Sequence, residues 1–246
     1  MARRGTLCLA MPTTETADSI YTTGEYAQRN PTYHVEDSAW KAGHILRMIR
    51  KNGLRPRTIC EVGCGAGEIL RQLQDALPGD VQFDGYEISP QAFALCEERA
   101  NEQLRFHCQS TPSGQTRAFD LLLCIDVFEH VPDYIGFLKA LHPKADRTVF
   151  HIPLDLSVQS VLRGAPIMNT RRQFGHLHYF TKDTALATLA DCGYEVIDWF
   201  YTAVGAERGQ GFKSLLAKWP RKIFAALNQD LAARVLGGHS LLVLAK

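Results

Sequence analysis

The residues best suited to chemistry stand together in Ile59-Cys60-Glu61-Val62-Gly63-Cys64-Gly65-Ala66-Gly67-Glu68. A short apolar run ends on an acid, turns through glycines spaced G-x-G-x-G, and opens into a helical pattern carried by Ile69, Leu70, Leu73 and Leu77. Glycine at Gly63, Gly65 and Gly67 lets the backbone turn sharply and lets a ligand lie against bare main chain. The helix beyond the loop aims free N–H groups and its positive dipole end at that ligand. This is the pattern of a nucleotide-type cofactor seat. Farther on, His130, His151, His176 and His178 come after apolar segments. Imidazole suits proton transfer near neutral pH, so His130, His151 and His176 are the candidates for acid–base work. For each of them a structural hydrogen bond is the competing role.

The elements that must hold these residues are set by periodicity. Trp40, Ile45, Leu46 and Ile49 predict a helix over 36–50, ending at Asn52-Gly53. A first strand is predicted over 58–62, a helix over 68–76, and a second strand over 81–86. Ser89 is a good N-cap with Pro90 at the first helical position, which starts a helix running to about Arg99. A short strand over 104–108 precedes the nearly all-apolar run 119–125, the mark of a central strand covered on both faces. A helix over 133–141 and a strand over 147–152 come next. Residues 154–180, with Gly164, Pro166 and Gly175, predict an irregular insertion that roofs the pocket. Thr181 caps a helix to 190, and strands over 194–200 and 240–245 flank a forty-residue excursion. Strands alternating with helices imply βαβ units in an α/β fold with a mainly parallel sheet.

Composition narrows the class. With 246 residues, 27 Lys and Arg against 26 Asp and Glu, the chain suits one α/β domain and carries no electrostatic footprint for nucleic acid. No apolar stretch approaches the roughly 18 residues needed to span a bilayer. The apolar patch after Arg3 and Arg4 is brief for a signal peptide, so a cytoplasmic location is expected, and Met11 is an alternative start. The seven cysteines include no C-x-x-C pair. Cys60, Cys64, Cys108 and Cys124 fall in or beside predicted buried strands and are expected to be reduced core thiols. No short-spaced ligand cluster stands out, so no metal is expected.

The glycine loop alone leaves two cofactors open. A nicotinamide enzyme wants G-x-G-x-x-G with an acid about 20 residues on. Here the third glycine comes one residue early, while Glu87 could hold a ribose in either case. The rest of the chain separates them. Glu61-Val62-Gly63-Cys64-Gly65-Ala66-Gly67 resembles the first motif of class I S-adenosylmethionine-dependent methyltransferases, and Tyr86-Glu87-Ile88-Ser89 resembles their second. Asp126-Val127-Phe128-Glu129-His130-Val131, closing the 119–125 run, resembles their fourth motif in its D-x-x-E-H-V form. That form is found in the group containing ubiquinone-biosynthesis O-methyltransferases and related small-molecule enzymes. Gly175-His176-Leu177-His178-Tyr179-Phe180-Thr181 and Cys192-Gly193-Tyr194-Glu195-Val196 also match a pattern of that group, so the resemblance covers roughly 36–200.

The resemblance implies a seven-stranded, Rossmann-like sheet with the last strand antiparallel and helices on both faces. It implies S-adenosylmethionine as cofactor, with Gly63, Cys64, Gly65 and Gly67 against its methionine and ribose portion and Glu61 near its amino group. Glu87 would accept from both ribose hydroxyls, and Ile88 would lie on the adenine face. The acid that often stands after the third strand is replaced by Cys108-Gln109-Ser110, so Gln109, Ser110 or the backbone there would read the adenine amine. Asp126 would line the pocket near the transferred methyl. Glu129 could orient His130, although neighbours along a helix seldom face one another.

The expected organisation is a leader over 1–35 that covers the active site, a methyltransferase core over 36–200, a helical excursion over 201–239, and a final core strand over 240–246. Tyr33 or Trp40 could stack on a ring or sugar. The apolar stripe over 212–227, with Lys213, Lys218, Arg221 and Lys222 beside it, fits a helix packed on its own domain or a peripheral membrane or partner contact. The expected reaction is methyl transfer to a small molecule, on oxygen before nitrogen or carbon, with a sugar, glycolipid or phenolic hydroxyl as acceptor. A nicotinamide oxidoreductase and a non-catalytic cofactor-binding subunit are the alternatives.

Overall fold

The computed structural model describes residues 19–114, 118–203 and 228–246, so the stripe over 212–227 lies outside the described residues. Seven strands form one sheet: β1 (Thr58–Val62), β2 (Gln82–Tyr86), β3 (Leu104–His107), β4 (Phe119–Ile125), β5 (Ala145–Pro153), β6 (Val196–Thr202) and β7 (Ser240–Ala245). Their order across the sheet is β3-β2-β1-β4-β5-β7-β6. The first five run parallel, while β7 is antiparallel to both β5 and β6. This is the expected seven-stranded α/β sheet with an antiparallel last strand.

Alternation along each strand feeds two apolar layers. Cys60, Val62, Leu122, Cys124, Phe150 and Ile152 face one layer, which is completed by Phe128, Leu138 and Leu189. Ile59, Leu121, Leu123, Val149 and Leu242 face the other, against Ile45, Met48, Leu70 and Leu73. Each such buried aliphatic side chain contributes roughly 1.5–3 kcal/mol. Every residue of β7 is buried, as a strand inserted between two others requires.

Helices α1 (Ser19–Thr22), α2 (Glu25–Arg29) and α3 (Val35–Lys51) precede β1, and α4 (Glu68–Ala76) comes after it. On α3, Ser38, Ala42, Ile45, Met48 and Ile49 form the buried stripe, and the helix packs beside α4. Helix α5 (Pro90–Glu97) begins as expected: the Ser89 hydroxyl accepts the Ala92 N–H at 3.3 Å. Helices α6 (Tyr134–Leu141), α7 (Val158–Arg163), α8 (Ala165–Phe174), α9 (Lys182–Asp191) and α10 (Gln229–Leu236) and the 3-10 turns Phe128–His130 and His142–Lys144 complete the described elements.

Two expectations need correction. The stretch 154–180 is not irregular, because it holds α7 and α8. A capping box between Ser157 and Ser160 starts α7, and α8 runs from Gly164-Ala165-Pro166 to Gly175. Proline inside the start and glycine just past the end are helix punctuation; they resemble loop signals here because α8 buries no residue and shows no apolar stripe. Cys108, expected in the core, is exposed just past the end of β3. Cys60, Cys64, Cys96, Cys124 and Cys192 are buried free thiols.

Candidate active site

A cavity of about 670 Å³ opens beyond the carboxyl ends of β1 and β4. These strands are neighbours in the sheet but their connections leave in opposite directions, and such a switch point leaves a crevice for ligands.

The β1–α4 loop forms one wall. Gly63, Gly65 and Gly67 have φ of 68°, 56° and 76°, left-handed values that side-chain-bearing residues rarely adopt. The Gly63 and Cys64 N–H groups both donate to the Tyr86 carbonyl, at 2.8 and 3.1 Å. The Gly65 N–H donates to Glu87 Oε2 and the Ser89 N–H to Glu87 Oε1, each at 2.8 Å. Glu87 thereby ties the glycine loop to the turn after β2. Burial raises its pKa, and the backbone N–H groups of Ser89, Gly65 and Ile88 oppose that rise. A carboxylate has about four acceptor positions, so acceptor capacity remains for a ligand.

Glu61, at the end of β1, is 1% exposed, and its Oε2 has no hydrogen-bond partner. Burial pushes its carboxyl up to about 8, with Lys41 opposing the shift and Glu87 adding to it. An unpartnered carboxyl in a cavity wall costs stability and fits a cationic or hydrogen-bond-donating group.

The turn after β4 supplies a second polar group. Asp126 has φ 54°, unusual for a residue with a side chain. Its N–H donates to the His151 carbonyl at 3.0 Å. One carboxylate oxygen meets Lys41 Nζ at 2.7 Å and the other His151 Nδ1 at 2.5 Å, while His151 Nε2 lies 2.8 Å from the Thr202 hydroxyl. Burial works against the Asp126 charge, but His151 and Lys41 outweigh it and hold the carboxyl far below its usual range. Burial likewise opposes the Lys41 charge, and Asp126 overcomes it, raising the ammonium pKa.

A third group lies deeper. Glu129 is 1% exposed, and neither carboxylate oxygen has a partner. His130 Nε2 is 3.8 Å from Glu129 Oε1, beyond hydrogen-bond length. The His130 and His176 rings meet edge to face at 4.7 Å between centroids, and His176 Nδ1 bonds Asp155 Oδ2 at 2.7 Å. Burial, and after it the neighbouring His176, lower the His130 pKa to about 3.

The leader and α8 close over these groups. Tyr21, Tyr26 and Tyr33 line the cavity together with Phe174. Arg29 Nη1 donates to the Arg172 carbonyl at 2.7 Å, Asn30 Nδ2 to the Gln173 carbonyl at 3.3 Å, and the Tyr33 hydroxyl lies 2.9 Å from Ser89 Oγ.

The residues singled out from sequence separate clearly. Glu61, Gly63, Cys64, Gly65, Glu87, Ile88, Asp126, His130, His151 and His176 all line the cavity. Gly67 does not; it is the left-handed residue that opens α4. Gln109 and Ser110 are exposed and stand away from the cavity wall. Both nitrogens of His151 are engaged, Nδ1 with Asp126 and Nε2 with Thr202. Trp40 packs edge-on against His44 and His151 rather than lining the cavity. Lys41 and Asp155 were missed. Lys41 carried a signal: it shares the apolar face of α3 with Ser38, Ala42 and Ile45, where a lysine must find an acid. Sequence spacing also showed no ligand cluster, whereas the fold brings ligand atoms of Glu129, His130 and His176 within 4.8 Å of one another. His176 is far from the other two in sequence, which hid the group.

A sheet of this order with a glycine-loop cavity at its switch point defines a class I methyltransferase fold. Solved structures agree. The chain superposes with a TM-score of 0.60 on a chain of the complex between the Haloferax volcanii Trm112 methyltransferase activator and a methyltransferase, at 13% identity, covering 93% of this chain and 96% of that one. It superposes with a TM-score of 0.54 on the plantazolicin methyltransferase BpumL, solved in complex with S-adenosylhomocysteine, at 17% identity, covering 94% of this chain and 93% of that one. The family model described as a methyltransferase domain matches residues 34–198, and the chain belongs to that family. Among curated proteins it is 26% identical over 143 residues to the ubiquinone biosynthesis O-methyltransferase of Idiomarina loihiensis, covering 52% of this chain and 58% of that protein. The match to the Haemophilus ducreyi enzyme of the same name is 23% identical over 133 residues, covering 47% of this chain and 55% of that protein. The chain thus spans little more than half the length of the curated relatives it matches.

Proposed function

We propose that this protein transfers the methyl group of S-adenosylmethionine to an oxygen atom of a small-molecule acceptor, a phenolic hydroxyl before a sugar or glycolipid hydroxyl, in the cytoplasm. The observation that carries the donor side is Glu61. Its buried Oε2, which has no hydrogen-bond partner, belongs to a residue that lines the cavity with the left-handed glycine loop, and the amino group of a methionine moiety would give that oxygen its missing partner. The free acceptor capacity of Glu87 suits a ribose diol, and Ile88 offers an apolar surface for adenine. When bound, the donor supplies a sulfonium methyl carbon open to in-line displacement.

The chain's own residues then position and shield. Glu61 and Glu87 fix the methionine and ribose portions of the donor. Burial, and after it His176, hold the His130 pKa down to about 3, so its imidazole is neutral near pH 7. Tyr21, Tyr26 and Tyr33 exclude water and, with Phe174, form aromatic walls suited to a ring. A volume of about 670 Å³ is in the range of small-ligand sites. The acceptor hydroxyl is set against His130 and His176: its C–O bond forms as the carbon–sulfur bond breaks, and its proton must be drawn off there. The near-neutral balance of charge disfavours nucleic acid, and the likeness to ubiquinone-biosynthesis enzymes favours a phenol. Buried free thiols suit a reducing cytoplasm.

The test is incubation of the full chain with methyl-labelled S-adenosylmethionine and a panel of catechols, phenols and glycosides. Label recovered in an ether product, with one S-adenosylhomocysteine per methyl, is expected. Label on nitrogen overturns the oxygen assignment, and donor binding without transfer to any acceptor returns the chain to a non-catalytic role.

A further inference from the structure

We propose that Glu129, His130 and His176 bind one divalent transition-metal ion of the zinc class in the wall of the cavity. Their ligand atoms lie within 4.8 Å of one another, close enough for small side-chain movements to gather them on one ion. Two imidazoles and one carboxylate are the donor set of zinc sites that keep a position open for another ligand. The position left open would face the cavity, since His130 and His176 both line it.

Three observations point to a ligand rather than to an inert polar cluster. Both Glu129 carboxylate oxygens are buried without a partner, and an unsatisfied buried group in a folded protein calls for an explanation. Among the described residues no nearby cation supplies one: His130 Nε2 stands off at 3.8 Å, and Lys41 is taken by Asp126. Second, His176 bonds Asp155 through Nδ1 at 2.7 Å, leaving Nε2 as its metal-facing nitrogen. A carboxylate behind a histidine is how proteins orient a metal-ligating imidazole and fix its tautomer. Third, the backbone joins the two ligand-bearing segments. The Glu129 carbonyl accepts the Leu177 N–H at 2.8 Å and the His178 N–H at 3.1 Å, so the turn after β4 and the loop after α8 are held together whether or not an ion is present.

The role of the ion rests on the methyl-transfer reading; its binding does not. A divalent ion beside an acceptor hydroxyl lowers the hydroxyl pKa and so eases loss of its proton.

The experiment uses the full chain, stripped with a chelator and titrated with zinc and with cobalt(II) against a chromophoric competitor. S-adenosylhomocysteine binding is measured on every sample as an independent sign of a folded site. One ion per chain is expected. Glu129→Gln and His176→Ala should each weaken binding roughly 100-fold or more, and Asp155→Asn roughly 10–100-fold, the scale of losing a supporting carboxylate. Wild-type protein that binds no stoichiometric ion while still binding S-adenosylhomocysteine overturns the metal site and leaves the donor reading standing. So do ligand variants that bind the ion as wild type does. An ion bound without S-adenosylhomocysteine supports the site and sinks the donor reading. If the ligand variants fail to fold, the cobalt form of the wild type decides: paramagnetically shifted signals from two imidazoles are expected, and their absence overturns the proposal.

Discussion

Lys41 Nζ lies 2.7 Å from Asp126 Oδ2, joining the first long helix of the chain to the turn after β4. The pair fixes the leader-side helix against the sheet edge where the cavity opens. Lys41→Met should destabilise the protein by roughly 2–3 kcal/mol, somewhat below the 3–5 kcal/mol of a fully buried pair, because His151 still faces the orphaned carboxylate. Urea unfolding at pH 7 measures this, and a change under about 0.5 kcal/mol would show that the pair carries no weight, as exposed pairs often do.

If Glu61 holds the donor's amino group, donor binding should depend on pH. With its carboxyl pushed up to about 8, the empty protein holds a proton there at pH 7. An ammonium group placed against it would expel that proton. Calorimetry of S-adenosylhomocysteine binding in buffers of different ionisation enthalpy should therefore show net proton release at pH 7, with affinity rising toward pH 8. Glu61→Gln should abolish the release. Binding that exchanges no protons would mean that the amino group sits elsewhere.

The same group contributes to stability with a definite sign. Its folded pKa is raised, so its contribution is complete below the ordinary value of 4.5 and is lost as pH rises through about 8. The difference in unfolding free energy between the wild type and Glu61→Gln should track that window. A difference flat from pH 5 to 9 would contradict the assignment of the shift to Glu61.

Glu87→Gln tests the tie between the glycine loop and β2. It puts an amide in place of a carboxylate that accepts N–H groups from both Gly65 and Ser89. Stability and donor affinity should fall together, each by about 1–3 kcal/mol. Unchanged affinity would remove Glu87 from the donor site.

Gly67 and Gly53 give a matched comparison of backbone and packing. Both have left-handed φ, 76° and 62°, but a Cβ on Gly67 would fall 2.5 Å from the Phe106 ring, whereas one on Gly53 would meet nothing within 4 Å. Gly53→Ala should cost about 1–2 kcal/mol, the left-handed penalty alone. Gly67→Ala should add about 1–3 kcal/mol of overpacking. Equal losses in thermal or urea unfolding would mean that Phe106 moves aside freely.

Much of the fold was legible along the chain because its signals are local. The apolar run ending at Ile125, the Ser89-Pro90 helix start and the left-handed glycines each depend on a few neighbouring residues. One wall of the cavity was legible for the same reason: Glu61, Gly63, Gly65, Glu87 and Ile88, which line it, sit at strand ends, where a parallel sheet must place them. The loop beyond β3 was not. Gln109 and Ser110 were chosen for the adenine from their position after β3, yet they are exposed, because the path of the chain beyond a strand end depends on how the loop packs.

What the sequence determined by itself is the parallel α/β sheet and the glycine loop, since hydrophobic period and backbone freedom are properties of consecutive residues. Only the tertiary structure decided which charges meet. Lys41 reaches Asp126 across the chain, and Glu129 finds His176 only because α7 and α8 fold back over the strand ends. Coulombic and ligand contacts act through a few ångströms of space, and no spacing along the chain encodes that distance until the core has packed.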